Sequence, residues 1–411
     1  MITLSDCLEL DARDPLREVR ARFAQPSEDT VYLDGNSLGA MPAAVPERVQ
    51  ALLLEGWRDA RRRGWSHFDW LEKPWLLGES LAHLLGVGAG DVVFSDSTSV
   101  NLFKLLAYGW KLQSPRRVIV TERENFPTDV YVAEGLARFV GDGVRLRLID
   151  GPSDLPAALD DDVAVVYLSH ADYRSGYRWN MAQTNQLVHA CGALAMWDLS
   201  HVAGAIAVEL ERDGADLAVG CGYKYLCGGP GAPSWLYVHP RHQDREWPVI
   251  AGWMGHEDVF AFAQRYAPLG GVRRHLAGSP SILANVALSA AADLWKSIRP
   301  ADLNWKHRSL STLMVALLEE RCGALGVKVT SPADYDQRGG HVAFSHAGAG
   351  SVSEALLAHG VVGSFRNPDS IRFGLSPMAL SHADVWTAVD RLAQVLQTEV
   401  WREPRFARVS V

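Results

Sequence analysis

The sequence predicts an α/β protein: a large, mostly parallel sheet between layers of helices, followed by a smaller α+β region. Three observations carry that expectation. Between residues 91 and 240, short apolar runs alternate with amphipathic stretches. The short runs are continuously apolar, as strands covered on both faces are, and do not alternate in polarity. After about residue 285 this rhythm gives way to long helical stretches and shorter strands. At 411 residues the chain also exceeds one compact core, so two or three domains are expected. The divisions are drawn as an N-terminal segment 1–60 packing with the small domain, a large domain 61–290 and a small domain 291–411.

Taken in order, "VYLDGNSLGAMP" (31–42) is a short apolar piece running into turn residues, and a helix is expected from about Ala43 to Arg63. "PWLLGESLAHLLGV" is a second helix, opened by Pro74 where a missing N–H does no harm. "DVVFSD" is a strand and "TSVNLFKLLAYGWKL" a helix; "RRVIVTE" is a strand and "PTDVYVAEGLARFVG" a helix. "VRLRLID" and "VAVVYLS" are strands, "MAQTNQLVHACG" a helix, and "ALAMWDLS", "DLAVGCG" and "SWLYVHP" three more strands. Beyond them "SILANVALSAAADLWKSI" and "LNWKHRSLSTLMVALLEERCGALG" are helical, "HVAFSHA" and "SIRFGLS" are strands, and a last helix follows. "GVGAGD" (86–91) imitates a dinucleotide fingerprint, but it precedes a strand instead of following one, so it is a turn.

Composition narrows the function. The chain is 48% hydrophobic and 21% charged, with a net charge of −8, which disfavours an extended nucleic-acid surface. Its one basic cluster, Arg61-Arg62-Arg63, is expected on a solvated helix face. The acidic N-terminus lacks the basic and apolar regions of a secretory leader, and no apolar run is long enough to span a membrane. The 5 cysteines form no CxxC pair and no ligand spacing, so reduced, buried thiols in a cytoplasmic protein are expected, with no metal site.

The chemistry collects at strand ends, where open α/β sheets hold their ligands. "MWDLSHVAG" ends a strand with Asp198, and His201 follows closely. "GCGYKYLCGGPGAPSWLYV" places Lys224 between two tyrosines, among glycines, just after the next strand. Alone, Asp198 could cap a helix or turn, and Lys224 could sit in a surface turn. Together they suit pyridoxal 5′-phosphate (PLP): the carboxylate keeps the pyridine nitrogen protonated and the lysine carries the Schiff base. A helix opening at Ser97 and Thr98 straight after a strand offers free N–H groups to a phosphate, and Thr98 could equally be the N-cap. In "NFPTDV", Phe126 follows a strand end where it could stack on a flat ring, with Asp129 in the next helix.

With these motifs in view, the sequence resembles kynureninase, a PLP-dependent fold-type I family related to class V aminotransferases and cysteine desulfurases. The likeness runs from about residue 31 to 380, through "LDGNSLGAMP", "KPWLLGESLAHLLG", "DSTSVNLFKLL", "ENFPTDVY", "DLSHVAGA", the Lys224 stretch, "GWMGHED" and "FRNPDSIRFGLSPM". It implies that Lys224 carries the cofactor and that Asp198, with His201 beside it, meets the pyridine nitrogen. It further implies that Phe126 stacks on the ring, that Asp129 hydrogen-bonds near its 3-oxygen, and that Ser97, Thr98, Tyr223 and Ser169 surround the phosphate. Trp253 and Ser279 are implied to arrive from a partner subunit, hence a homodimer. Arg372 is implied to fork onto the substrate α-carboxylate, with Arg366 a structural neighbour. The implied reaction is hydrolytic Cβ–Cγ cleavage of L-kynurenine to anthranilate and L-alanine, with Tyr223 a candidate proton donor. At the aryl end stand Trp65 or His67 and the small pair Gly278-Ser279, which resemble the pattern that favours kynurenine over 3-hydroxykynurenine. Ser37 is either a substrate contact or a turn residue.

Overall fold

The computed structural model describes residues 2–24 and 29–407. Its centre is a seven-stranded sheet ordered Val92–Ser95, Ser234–Val238, Leu217–Gly220, Leu194–Asp198, Val163–Ser169, Val118–Glu122 and Arg145–Ile149. Only Ser234–Val238 runs against its neighbours; the remaining pairings are parallel. The parallel strands therefore end on one side, and register fixes which residues end together. Ser169 lies opposite Asp198, and Asp198 opposite Val219. The strands Val163–Ser169, Leu194–Asp198 and Leu217–Gly220 are buried almost throughout, which is why their sequences are unbroken apolar runs.

Helices cover both faces. One apolar layer includes Leu81, Trp197, Trp235 and Trp295; the other includes Leu105, Tyr108, Tyr167 and Leu236. A separate core forms where the helices Pro300–Cys322 and His382–Gln397 pack over a four-stranded antiparallel sheet. That sheet is ordered Ser364–Arg366, Ser370–Gly374, His341–Ser345 and Lys328–Val329. Cys7, Val31 and Leu33 from the N-terminal segment belong to this second core, and Val31–Tyr32 pairs in parallel with Val361–Val362. No described helix is long and apolar enough to cross a membrane.

Several expectations change in detail. The helix expected over 43–63 is composite: α-helix Val45–Ala51, a wider π turn Leu52–Ala60 and a 3-10 turn Arg61–Arg63. The join falls at Arg61, whose φ of 51° no α-helix accommodates. The N-cap of the helix Thr98–Leu112 is Ser97, whose hydroxyl accepts the Val100 N–H; Thr98 is the first helical residue. Cys191 is only partly buried, whereas the other four cysteines are buried. The helices Leu4–Ala12 and Ala349–Ala358 were not anticipated, because their apolar positions are sparse or interrupted by small residues. "GVGAGD" is indeed a turn: Gly86, at φ 63°, closes the helix Lys73–Leu85 with its N–H on the Ala82 carbonyl.

The loop "GNSLG" packs directly beneath the Lys224 segment. The Gly39 N–H donates to the Tyr223 carbonyl at 2.8 Å. A Cβ on Gly39 would overlap the Lys224 carbonyl oxygen and the Cys227 backbone, so glycine is required by close approach, not by turn geometry. Gly39→Ala is expected to lower unfolding stability by about 1–3 kcal/mol, the usual cost of overpacking. Urea denaturation monitored by circular dichroism checks this, and an unchanged midpoint would contradict the packing.

Candidate active site

The strand ends surround a cavity of about 150 Å³ lined by Phe126, Asp129, Ser169, Asp198, His201 and Lys224, with Thr98 and Tyr223 at its edge. A larger cavity of about 530 Å³ shares Thr98, Ser99 and Tyr223 with it and extends to Ser97, Gly278 and Ser279. The sheet delivers these side chains in turn. Ser169 and Asp198 end adjacent strands in register; Phe126 caps the helix Pro127–Val140, whose first turn carries Asp129. Lys224 follows the strand Leu217–Gly220 after a tight passage, where a Cβ on Gly222 would collide with the Pro233 carbonyl.

Hydrogen bonds fix most of the lining. Lys224 Nζ lies 3.0 Å from His201 Nε2 and 6.0 Å from the centroid of the Phe126 ring. Ser169 Oγ donates to Asn125 Oδ1 at 2.6 Å and stands 3.2 Å from Asp129 Oδ2. Asp198 Oδ1 accepts the Ser200 N–H at 2.7 Å. The Phe126 ring is 42% exposed, unusual for phenylalanine, because one side of it forms the cavity wall.

The electrostatics are those of a buried site. Burial raises the Asp129 carboxyl well above the ordinary carboxylate range, and the neighbouring Asp198 raises it further. Burial raises Asp198 too, against the opposing pull of its Ser200 hydrogen bonds and of Lys224. Burial, together with the nearby Lys224 and His341, pushes His201 well below its usual value, which favours the neutral imidazole, and its Nε2 lies 3.0 Å from Lys224 Nζ. The Tyr223 phenol is raised by burial and by Cys221, and it holds its proton at neutral pH.

Other sequence candidates lie outside the two cavities. Trp65 stacks edge-on against Trp253 at 5.5 Å and Trp70 at 5.8 Å, forming an aromatic cluster that also places Trp253. His67 is engaged locally, within 3.1 Å of the Arg63 carbonyl oxygen and 3.0 Å of Ser66 Oγ. The Ser37 N–H closes a turn onto the Asp34 carbonyl at 2.9 Å. Arg372 is 1% exposed and reaches the cavity wall indirectly: Nη1 donates to the Tyr173 carbonyl at 2.5 Å, and Nε to Ser364 Oγ at 3.1 Å. Among the described residues its hydrogen bonds go to neutral groups only, and burial with the nearby Arg366 lowers it to about 10. Sequence reading missed Asn125, Tyr173, His341 and Asn36, whose side-chain amide lies against Ser364 and Arg372. Asn125 adjoins the Phe126 motif and Asn36 lies within "GNSLG", so both were within reach. Tyr173 and His341 carry no local signal, because tertiary packing alone sets the His201–His341 ring separation of 5.7 Å.

Comparison with known proteins decides the family. The kynureninase C-terminal domain matches residues 303–392. A kynureninase from Pseudomonas fluorescens is 43% identical over 410 residues, covering 99% of this chain and 98% of its own. One from Burkholderia pseudomallei (strain 1106a) is 42% identical over 411 residues, covering 99% of both. The chain belongs to the kynureninase family. Solved structures extend the likeness in fold alone. The cysteine desulfurase CsdA of Escherichia coli superposes with a TM-score of 0.75 at 18% identity, over 93% of this chain and 98% of that one. A C-DES variant with glycine covalently linked to its PLP cofactor gives 0.76 at 17% identity, over 91% and 98%. The kynureninase-family chain thus has the fold-type I architecture that the resemblance implied.

The buried carboxyl pair leaves a mark on stability. Because both folded values are raised, the pair contributes stability that is full below the ordinary carboxylate range, near about pH 4, and is lost as pH rises through the folded values. Asp129→Asn removes one of the two titrations. The urea midpoint of the cofactor-free variant is therefore expected to fall less steeply than the wild type's as pH rises above the ordinary carboxylate range. Parallel pH profiles of the two proteins would contradict the coupling.

Proposed function

We propose that the chain is a PLP-dependent hydrolase that splits the Cβ–Cγ bond of L-kynurenine to give anthranilate and L-alanine. The observation that carries this reading is Lys224, Asp198 and Phe126 meeting in one cavity of a kynureninase-family chain. The lining fits the cofactor. Two buried carboxyls with raised affinity for protons face a half-exposed aromatic ring and a lysine amine, beside a helix N-terminus free to take a phosphate. Among the described residues no cluster suits a metal ion.

In this reading Ser97, Thr98 and Tyr223 hold the phosphate, Asp198 with His201 takes the pyridine nitrogen, Phe126 covers the ring, and Asp129 with Ser169 meets its hydroxyl edge. Trp253 and Ser279 of a partner subunit add to the site in a cytoplasmic homodimer, although Ser279 also lines the larger cavity within its own chain. When bound, PLP supplies a conjugated sink for the electron pair that C–C cleavage leaves behind. The chain's own residues manage the protons. Lys224, within hydrogen-bonding distance of His201, removes the proton at the substrate α-carbon and returns one to that carbon after cleavage. Cleavage consumes one water, whose oxygen ends in the anthranilate carboxylate. The bonding pair goes to the β-carbon, which takes a proton and becomes the methyl group of alanine. Tyr223, held in its protonated form, is suited to donate that proton. Arg372, a buried guanidinium hydrogen-bonded among the described residues to neutral groups, is suited to the α-carboxylate. Trp65, packed on Trp253, with Gly278 and Ser279 shapes the aryl end; Ser37 and His67 stand at its margin.

Lys224→Ala is expected to abolish turnover and the visible absorbance of the PLP-loaded protein. Anthranilate fluorescence and an absorbance scan read both, and full activity in the variant would overturn the assignment. The wild type is expected to favour kynurenine over 3-hydroxykynurenine in kcat/KM; the reverse preference would show that the Trp65 end does not exclude the extra hydroxyl.

A further inference from the structure

Lys104 is a lysine outside the reaction centre that the structure nonetheless buries. It lies on the helix Thr98–Leu112 and is 1% exposed. Its ammonium donates to Asp96 Oδ2 at 2.5 Å and to the His275 carbonyl at 2.8 Å. These acceptors stand on two loops that bound the cavity of about 530 Å³. Asp96 occupies the turn immediately before Ser97, and His275 ends the 3-10 turn just ahead of Gly278 and Ser279.

Asp96 is held in an uncommon shape for a non-glycine residue, with φ at 47°. Its carboxyl also accepts the Ser95 hydroxyl, and its carbonyl accepts the Ser234 N–H at 2.9 Å. The carboxylate side chain is 33% exposed and lines the cavity alongside Ser97 and Thr98. A free carboxylate in that position would repel a phosphate arriving at the same helix terminus, and the repulsion would be strong because the surroundings are poorly solvated. Lys104 answers it from the buried side. The His275 carbonyl holds the ammonium in place, so the cation cannot swing away to water.

We propose that Lys104 is a positioning residue for the phosphate end of the cofactor site, cancelling the Asp96 carboxylate at the mouth of the Ser97–Thr98 cradle. The proposal rests on the reading of that cradle as the phosphate site. It separates Lys104 from Lys224: one acts on the reacting atoms, the other only on the electrostatic field that the phosphate meets.

The test titrates cofactor-free protein with PLP and, separately, with pyridoxal, which lacks the phosphate, following absorbance and tryptophan fluorescence. Lys104→Met is expected to weaken PLP binding by about tenfold or more while leaving pyridoxal within about twofold of wild type. The paired variant Asp96→Asn with Lys104→Met leaves no unpaired charge and keeps the test open where the single variant fails to fold. It is expected to bind PLP within about threefold of wild type. Wild-type PLP affinity in Lys104→Met, equal losses for PLP and pyridoxal, or weak PLP binding by the paired variant would each overturn the proposal. Wild-type protein that binds PLP and pyridoxal equally would overturn the phosphate reading itself, and the proposal with it.

Discussion

Two buried carboxyls, Asp129 and Asp198, share one small space with a single lysine amine, and the surrounding structure serves to hold that unequal arrangement out of water. In solvent neither carboxyl would resist ionisation. Here burial raises both; Asp198 further opposes the charged form of Asp129, whereas a hydrogen bond from Asp129 favours the charged form of Asp198. The sheet imposes the proximity: Asp198 stands in register with Ser169, and Ser169 Oγ is 3.2 Å from Asp129 Oδ2. A parallel sheet covered by helices on both sides is one of few frameworks that bring several strand ends to one dry edge. The sequence cost of that framework is visible as strands with hardly a polar residue before their last position.

The second core contributes charge to the same place by a different route. The strand Ser370–Gly374 carries Arg372, buried against Ser364 and the Tyr173 carbonyl. Tyr173 in turn meets Phe126 edge-on at 5.3 Å, so the guanidinium is mechanically linked to the wall of the cavity. The N-terminal loop closes the arrangement from beneath, through the Gly39 N–H on the Tyr223 carbonyl, and the Lys224 segment is tied to the second core by Tyr225 Oη donating to the Gly340 carbonyl at 2.6 Å. Segments distant in sequence therefore converge on the Lys224 segment from several directions.

How far this was legible in the sequence depended on the range of the interaction. The strands Val163–Ser169 and Leu194–Asp198 and the helix Thr98–Leu112 could be read because apolar period and capping residues are local. Asp198, Phe126 and Lys224 could be read because strand ends concentrate ligand chemistry. The π turn at Leu52–Ala60 could not, since its residues carry the apolar spacing of an ordinary helix. Nor could His341 beside His201, or Tyr173 between Phe126 and Arg372, because each is placed by a contact between segments far apart in the chain. The same holds for Lys104, which in sequence is one more lysine on an amphipathic helix.

The likeness to cysteine desulfurases in fold also shows where this chain departs from them in chemistry. Thiol attack requires a thiolate that can approach the substrate. Cys322 closes the helix Pro300–Cys322, is fully buried and is raised to about 12 by that burial; Cys227 is likewise buried and raised to about 12. Cys221 adjoins the site but is raised by burial and packed against the Ser200 carbonyl. Partly buried Cys191 has its Sγ 3.1 Å from the Val188 carbonyl, within its own helix. None is held as a nucleophile facing the cavity. What lines it instead is Lys224, His201 and Tyr223, and the adjoining cavity runs toward Gly278 and Ser279. A fold shared with cysteine desulfurases thus carries, in this kynureninase-family chain, an amine, an imidazole and a phenol at the cavity that none of these thiols lines.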